Sequence, residues 1–293
     1  MSAKHPIIAV VRSSGVGVTQ VRDAFEHVLE REKLRFAEIK GESFHRYDRA
    51  GMRKAMAEAA KKGDANFSHF GPQANLFEEL EELFKTYGET GRGKRRHYLH
   101  SQEDTAKHQN LRLKPGEITP WEDIPEGTDL MLYEGLHGCI VDGNVNVARH
   151  VDLKIGVVPV INLEWIQKIH RDTSQRGYSQ EAVMDAILRR MHDYVHYIIP
   201  QFERTDINFQ VAPVVDTSDP IIARDVPVAD ECVCVIRVTK PEDLGVDFPY
   251  LLDHIGNSWM SRRNAIVVPG GKMGMAMEMI LPPLVNRLLA ARN

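Results

Sequence analysis

Short apolar runs alternate with longer amphipathic segments along this chain. Runs rich in β-branched residues predict buried strands, and apolar residues at helical spacing predict helices. The predicted strands are Ile7–Val11, Phe36–Ile39, Asp129–Tyr133, Lys154–Ile161, Ile207–Val214, Cys232–Val238 and Ala265–Val268. A first helix is predicted to begin at Gln20, and further helices to cover Leu76–Tyr87, Leu163–Arg171, Glu181–Tyr197 and Met273–Leu289.

This alternation predicts an α/β fold, in which a mostly parallel sheet is covered by helices on both faces. The last third of the chain adds strands, so the sheet is expected to be mixed there. No repeat, low-complexity tract or long linker interrupts the pattern. We therefore expect one elaborated domain over residues 1–293 rather than two.

The amino-acid composition limits the classes of molecule that the protein is expected to bind. The net charge of −4 and the pI near 6.4 provide no overall attraction for nucleic acid or an anionic membrane. Small phosphorylated ligands that meet local cations are favoured instead. Cys139, Cys232 and Cys234 form no CxxC pair and are odd in number, which argues against a disulfide framework. The run Pro6–Val11 is too short for a signal peptide and nothing approaches a membrane span, so a cytoplasmic location is expected.

The first predicted strand runs directly into a turn of small residues that is typical of a phosphate-binding loop. In such a loop, exposed backbone N–H groups and the start of the next helix surround phosphate oxygens. Against the pattern G-x-x-x-x-G-K-[ST], Gly17 and Thr19 fit, whereas Arg12 replaces the first glycine and Val18 replaces the lysine. An ordinary strand-to-helix connection remains an alternative. A dinucleotide fingerprint is not supported, because its third glycine would fall at Gln20.

Reactive side chains follow the ends of further predicted strands. Ligands of open α/β sheets bind outside the carboxyl ends of the strands. Carboxylates for a base and a metal, with cations for phosphates, are what phosphoryl transfer needs. The helical spacing also places Lys168, Arg171 and Asp172 on one face. The candidate residues are Glu42, His45, Arg49, Glu134, Lys168, Arg171, Asp172 and Arg176, with the Thr19 hydroxyl as a further Mg²⁺ ligand.

Each of these motifs also has an explanation that involves no functional site. Glu134 is equally typical of a solvated loop acid, and the cations of residues 168–176 are typical of a solvated helix face. The basic stretch Gly91–Arg96 favours a surface loop near a small phosphate over a nucleic-acid site. His192 and His196 share a helix face at metal-ligand spacing, but no third ligand motif accompanies them, so packing or surface roles are preferred.

Several long runs extend the interpretation to nearly the whole chain. They are Phe44-His-Arg, Phe67-Ser-His-Phe, Glu-Gly-Leu-His-Gly at 134–138, the run from Ile155 to Asp172, Asp206-Ile-Asn-Phe-Gln, Val215-Asp-Thr-Ser and Ser258-Trp-Met-Ser-Arg262. These runs resemble the bacterial phosphoribulokinases, P-loop kinases related to uridine kinase. The resemblance implies transfer of the ATP γ-phosphate to the C1 hydroxyl of ribulose 5-phosphate, which gives ribulose 1,5-bisphosphate for the Calvin cycle. It also implies Mg²⁺ with ATP, activation by NADH, inhibition by AMP and a homo-oligomer, typically an octamer.

Carried over by position, the resemblance implies roles for individual residues. Glu42 matches the general base, Arg171 stabilises the transition state and Asp172 belongs to the same site. His45, Arg49, Lys168 and Arg176 match residues that bind the sugar phosphate, and Thr19 and Glu134 match the metal site. The nucleotide loop matches Arg12, Ser13, Ser14, Gly15, Val16, Gly17, Val18, Thr19 and Gln20, and the allosteric arginines match Arg31, Arg237 and Arg262.

The chain departs from the family pattern at the centre of the site. The family loop reads Gly-Ser-Ser-Gly-Ala-Gly-Thr-[Ser/Thr], so Arg12, Val16 and Val18 replace Gly, Ala and Thr. Glu42 stands where the family has aspartate, and Val211 where an arginine is usual. The leading hypothesis is an ATP-dependent phosphoribulokinase with an altered nucleotide loop. The alternative is a weak or non-catalytic relative that binds sugar phosphates or adenylates as a regulatory oligomer.

Overall fold

The computed structural model describes residues 4–13, 25, 27, 29–222 and 225–292. Most of the predicted nucleotide loop lies outside the described residues, and so does the start of the first predicted helix. The loop residues concerned are Ser14, Gly15, Val16, Gly17, Val18, Thr19 and Gln20. In the part that is described, no helix is long and apolar enough to cross a membrane.

The strands and helices follow one another in the predicted order. The described strands, numbered along the chain, are β1 (Ile7–Arg12), β2 (Phe36–Lys40), β3 (Lys94–Arg95), β4 (Glu122–Asp123), β5 (Leu130–Gly135), β6 (Val141–Asp142), β7 (Val145–Asn146), β8 (Leu153–Pro159), β9 (Ile207–Pro213), β10 (Cys232–Val238), β11 (Trp259–Arg262) and β12 (Ala265–Pro269). Residues 25, 27 and 29–31 are helical, and the helices after them are α1 (Arg49–Lys61), α2 (Phe77–Thr90), α3 (Gln102–Lys107), α4 (Ile161–Ser174), α5 (Gln180–Asp193), α6 (Ile199–Glu203), α7 (Pro241–Leu244), α8 (Phe248–His254) and α9 (Met273–Ala290).

Eight of these strands form one sheet in the order β11-β12-β10-β9-β8-β1-β5-β2. The pairs from β2 to β9 are parallel, and those from β9 to β11 are antiparallel. The predicted α/β fold with a mixed last third is therefore confirmed. The extension over one domain of residues 1–293 stays a prediction.

Helices cover both faces of the sheet. On one face, Phe25, Leu29 and the apolar residues of α9 pack against alternate residues of the central strands, such as Ile8 and Val10. On the other face, α2 packs against the intervening residues, such as Ile7 and Ala9. The central strands are thus buried on both sides, which explains why their sequences are continuously apolar.

Several predicted boundaries differ from the observed ones. The strand predicted to end at Tyr133 continues to Gly135, so Glu134 lies within it. The strand predicted to reach Ile161 ends at Pro159, and Val160 caps a helix that already begins at Ile161. The helix predicted over Glu181–Tyr197 is α-helical only to Asp193 and continues as a π-helical turn. An apolar residue at a strand-to-helix junction fits either element, so periodicity cannot locate the junction.

The sequence pattern missed α1. Met52 is the only buried residue of this helix among those described, so the helix carries no apolar stripe for periodicity to detect. Its start is nevertheless defined, because the Asp48 side chain accepts a hydrogen bond from the Gly51 N–H at 2.6 Å. This cap fixes the direction in which the chain leaves the segment after β2.

Candidate functional site

Three neighbouring parallel strands bring the candidate carboxylates together. Glu134 of β5 is in register with Val10 of β1 on one side and with Lys40 of β2 on the other. Arg12 lies two residues after Val10, and Glu42 lies two residues after Lys40. Because these strands are parallel, their carboxyl ends meet at the same edge of the sheet. The prediction that reactive residues collect at this edge is borne out for these positions.

Two glycines allow the ends of β2 and β5 to approach closely. A Cβ atom on Gly135 would lie 2.7 Å from the Gly41 Cα, and one on Gly41 would lie 2.6 Å from the Tyr133 hydroxyl. Any larger residue at either position would push the strands apart. The Gly41–Phe44 segment then turns as a short 3-10 helix, which places Glu42 directly after the close approach. The glycines beside Glu42 and Glu134 thus have a packing role.

Arg12 lies between the two carboxylates. Its Nη2 atom is 3.5 Å from Glu42 Oε1, and its Nε atom is 2.9 Å from Glu134 Oε1. The second contact is an ion pair whose angles do not meet those of a hydrogen bond. Only 18% of the Arg12 side chain is exposed. The residue that departs from the nucleotide-loop pattern therefore contacts both candidate acidic residues.

The two carboxyl groups respond differently to this environment. Burial by itself would raise the pKa of Glu42, but the Arg12 charge and a hydrogen bond to its backbone leave that pKa below its ordinary value. Burial raises the pKa of Glu134, and Arg12 offsets this only in part. Glu42 is thus the more readily ionised of the two, as a general base requires.

A half-buried arginine holds the segment that carries Glu42 and His45. Arg96 donates from Nε to the Ser43 carbonyl and from Nη2 to the His45 carbonyl, both at 2.6 Å, and its guanidinium lies 4.5 Å from the Trp121 ring centroid. The basic stretch at 91–96 was predicted to be a surface loop near a phosphate. For Arg96 the surface location is wrong, because the side chain is half-buried and two of its nitrogens donate to backbone carbonyls.

The histidines of the site are neutral near pH 7. Burial lowers the pKa of His45, whose Nδ1 lies 2.9 Å from Asn75 Oδ1. Burial lowers the pKa of His69 and of His137 to about 3. His137 bonds the Phe70 carbonyl at 3.0 Å, so this motif histidine fastens the loop after β5 to the segment before α2.

The cations predicted around Asp172 converge on its carboxylate. Lys168 Nζ contacts Oδ2, while Arg171 Nε and Arg176 Nη1 contact Oδ1 at 3.0 and 3.1 Å. Burial alone would raise the pKa of Asp172, but its bonds to Lys168 and Arg171 hold the pKa below its ordinary value. The expectation that these residues share a helix face is confirmed. One carboxylate cannot neutralise three cations, so the cluster keeps a net positive charge.

Arg190 joins this cluster from the neighbouring helix α5. Burial lowers its pKa to about 10, and its guanidinium lies 5.6 Å from the Phe70 ring centroid. His69 connects the cluster to Glu42, since its ring centroid is 5.5 Å from that of His45. Burial and His45 have the largest influence on the pKa of His69, and the charges of Arg190, Arg189 and Lys168 lower it further. His69 therefore contacts the histidine of the Glu42 segment and is also influenced by the charges of the Asp172 cluster.

Arg49 is held near this region through backbone groups. Its Nη2 atom donates to the His100 carbonyl at 3.3 Å, and its N–H donates to the Gly116 carbonyl at 2.8 Å. His100 lies close enough that a positive charge on its ring would lower the pKa of Glu42 and of His45, although burial is the largest influence on both. Arg49 at the start of α1 and Arg176 after the end of α4 thus belong to different elements.

Within the described ranges, no three His, Cys, Asp or Glu residues are grouped so that they could hold a metal ion by themselves. A magnesium ion that is shared with phosphates commonly takes only one or two protein carboxylates. Glu134, at the end of a central strand and 14% exposed, fits that role by its chemistry. His192 and His196 stack at 4.3 Å, with the His192 carbonyl bonded to His196 Nδ1.

The three candidate allosteric arginines are not brought together within one chain. Arg237 and Arg262 both pair with Ala265, from opposite sides of β12. Ile236 and Val238 point into the core cluster that holds Leu29, so Arg237, which lies between them, faces the other side of the sheet. Arg31 lies in the helical segment on the side of that core cluster and pairs with Glu32 at 3.2 Å.

Sequence analysis missed several residues of this region. His69 lies in a motif that carried the resemblance, so the motif could have indicated it. Arg190 follows another arginine in an amphipathic helix, and Arg96 lies in a stretch that its charge alone described as surface. No local pattern distinguishes these two from solvated cations. Their partners are distant in sequence, and only the fold supplies them.

Known proteins are similar to this chain over its full length. A family model described as "Phosphoribulokinase / Uridine kinase family" matches residues 7–218. A chromosomal phosphoribulokinase of Cupriavidus necator is 56% identical over 293 residues, which cover 100% of this chain and 99% of the relative. A phosphoribulokinase of Nitrobacter vulgaris is 55% identical over the same shares. A solved structure described as phosphoribulokinase from Rhodobacter spheroides has a TM-score of 0.90 and 51% identity, and the match covers 99% of each chain.

Proposed function

Because the chain belongs to the phosphoribulokinase and uridine kinase family, we propose that it is a phosphoribulokinase, which transfers the γ-phosphate of ATP to the C1 hydroxyl of ribulose 5-phosphate. The family predicted from the sequence motifs is confirmed by these comparisons. The products are ribulose 1,5-bisphosphate, as used in the Calvin cycle, and ADP. The proposal is carried by the full-length similarity to proteins of that name together with the ionised Glu42 beside Glu134 at the strand ends.

We propose that Glu42 accepts the proton of the attacking hydroxyl. The hydroxyl oxygen forms a bond to the γ-phosphorus, while the bond from that phosphorus to the bridging oxygen of ADP breaks. The lowered pKa of Glu42 keeps it ionised and available as a base near pH 7, although burial opposes this. Arg96 supports the same step, because it holds the segment on which Glu42 lies.

The positive cluster is proposed to bind phosphate oxygens. Arg171, Arg176 and Lys168 share one carboxylate, so donor capacity remains for an anionic ligand. Arg49 and His45 approach from the segment after β2, on the acceptor side of Glu42. A sugar phosphate could thus be held at its phosphate while its hydroxyl end faces the base.

Glu134 would hold the Mg²⁺ that accompanies ATP. When bound, this ion neutralises charge on the transferred phosphate. The nucleotide-loop roles of Arg12 and Ser13, and those of the loop residues outside the described ranges, stay predictions. Thr19 as a second metal ligand is one of these.

A coupled assay with ATP, Mg²⁺ and ribulose 5-phosphate tests the proposal directly, with ribulose 1,5-bisphosphate identified as the product. Glu42→Ala is expected to abolish turnover while ATP binding is retained, because the base acts on the acceptor. Glu38→Ala is the matched control, since Glu38 lies on the same strand and pairs with Lys40 at 3.5 Å. Absence of the product with wild-type protein would refute the proposed function, and an active Glu42→Ala protein would refute the assignment of the base.

The acceptor side has its own test. Arg49→Ala and Arg176→Ala are each expected to raise the KM for ribulose 5-phosphate by about ten- to a hundredfold, because a hydrogen bond to a charged group contributes about 1.5–3 kcal/mol. The KM for ATP should change much less. Arg92→Ala is the control, as Arg92 is exposed and pairs with Glu126 at 3.4 Å. If only the KM for ATP rises, these residues do not bind the acceptor.

Regulation and assembly complete the proposal. We propose a cytoplasmic homo-oligomer, an octamer by resemblance, that NADH activates through Arg31, Arg237 and Arg262. The sheet separates Arg31 from Arg237 in one chain, so a site that uses all three requires neighbouring copies. Arg237→Ala should weaken the response to NADH. Light scattering measures the oligomer, and a monomer that still responds to NADH would contradict this arrangement.

A further inference from the structure

The proposed site contains a cation that belongs to the chain itself. Arg12 is the last residue of β1, and it contacts Glu42 through Nη2 at 3.5 Å and Glu134 through Nε at 2.9 Å. These two nitrogens lie on one edge of the guanidinium group. Among the described residues, no other side chain forms an ion pair with either carboxylate.

This bridge differs from an ordinary surface ion pair. The Arg12 and Glu134 side chains are only 18% and 14% exposed, so water and salt screen the contact weakly. The register of β1, β5 and β2 determines the approach, because all three side chains lie at the ends of neighbouring strands. Two nearby carboxylates repel each other unless a cation neutralises them, and Arg12 supplies that positive charge.

The position of Arg12 also affects how a divalent cation can bind to Glu134. A magnesium ion binds a carboxylate oxygen at about 2.0–2.1 Å. With Arg12 Nε 2.9 Å from Glu134 Oε1, a metal ion on that oxygen would lie only a few ångströms from the positive charge of the guanidinium group. Such an ion would meet the repulsion of that charge, and Arg12 would have to move away to relieve it.

We infer that Arg12 is a resident counter-ion that competes with a divalent cation for Glu134, so that residue 12 determines how strongly the site binds the metal before ATP arrives. This inference rests on the proposed function for the role of Glu134. It makes Arg12 a positioning residue, which holds the two carboxylates together when no metal ion is present. The altered first position of the nucleotide loop thereby has a defined role.

Direct Mn²⁺ binding to the full-length protein without nucleotide tests the inference, with free Mn²⁺ measured by electron paramagnetic resonance. Arg12→Met keeps the side-chain length and removes the charge, and it should bind Mn²⁺ at least about tenfold more tightly than wild type, because a unit charge a few ångströms away is removed. Arg149→Met is the matched control and should bind like wild type, since Arg149 pairs with Glu81 at 2.7 Å elsewhere on the surface.

A second substitution assigns the gain to the proposed ligand. Arg12→Met combined with Glu134→Gln should lose the tighter binding. Arg12→Gln provides the same test with a polar side chain if Arg12→Met does not fold, as judged by circular dichroism. Mn²⁺ affinities of the folded Arg12 variants within about twofold of wild type would overturn the inference, and so would a gain that survives Glu134→Gln.

The two proposals fail in different ways. The Mn²⁺ measurement involves no turnover, so it reports on Arg12 even if ribulose 5-phosphate proves not to be the acceptor. If wild type makes ribulose 1,5-bisphosphate but the Arg12 variants bind Mn²⁺ as wild type does, only the inference about Arg12 is refuted.

Discussion

Asp172→Asn should destabilise the protein more than the loss of an ordinary surface charge. The Asp172 side chain is 6% exposed, and it accepts from Lys168, Arg171 and Arg176. Asparagine has nearly the same shape, so the substitution leaves no cavity. It removes the negative charge and leaves the surrounding cations unbalanced.

The magnitude follows from the burial of each partner. Lys168 is only 9% exposed, and breaking a buried ion pair by removing one partner costs about 3–5 kcal/mol. Arg176 is 55% exposed, so its share is below about 1 kcal/mol. Burial already lowers the pKa of Lys168, so this amine can release its proton and relieve part of the cost. We expect the free energy of unfolding to fall by about 3 kcal/mol.

Urea unfolding at one fixed protein concentration measures the loss. Lys168→Met in the Asp172→Asn background should recover at least half of it, because the unpaired buried charge is then gone. A loss below about 0.5 kcal/mol, or a double variant no more stable than the single one, would refute the reasoning.

The pH dependence of the stability gives a further check. The lowered pKa of Asp172 means that its contribution is complete above its ordinary pKa and is lost as the pH falls through the lowered value. Asp172→Asn should not show that loss.

Further predictions concern the carboxylate edge. The apparent pKa of the acid limb of kcat/KM should lie below the ordinary pKa of a glutamate, because the pKa of Glu42 is lowered despite its burial. This limb should move to higher pH in Arg12→Met, and an unchanged limb would contradict the assignment. Gly135→Ala should lower kcat and thermal stability, since its Cβ would lie 2.7 Å from the Gly41 Cα, and a fully active variant would refute the close approach. Arg96→Ala should lower kcat more than the KM for ATP, with partial rescue by Arg96→Lys; an effect on the KM for ATP alone would exclude its role in holding the segment of Glu42.

The sequence alone was sufficient for the fold class and for part of the site, but it missed β11 at the edge of the sheet. Continuous apolar runs indicated strands buried on both faces, and the parallel topology then required their carboxyl ends to share an edge. The placement of Glu42 and Glu134 at the same edge followed from that rule, although Glu134 is part of β5 and does not follow it. Helical spacing was enough to place Lys168 and Asp172 on one face, because residues four apart in a helix are neighbours. These predictions depend on local periodicity, which a single sequence contains.

Only the tertiary structure decided which groups meet across the sheet. The pattern marked Arg12 as a departure from a nucleotide loop, but it could not show that the guanidinium lies between Glu42 and Glu134. That contact depends on the register of three strands and on the close approach at Gly41. In the same way, Arg96 holds the His45 segment from 51 residues away. Side-chain charge and spacing describe neighbours along the chain, whereas burial, register and long-range contacts are determined when the whole chain packs.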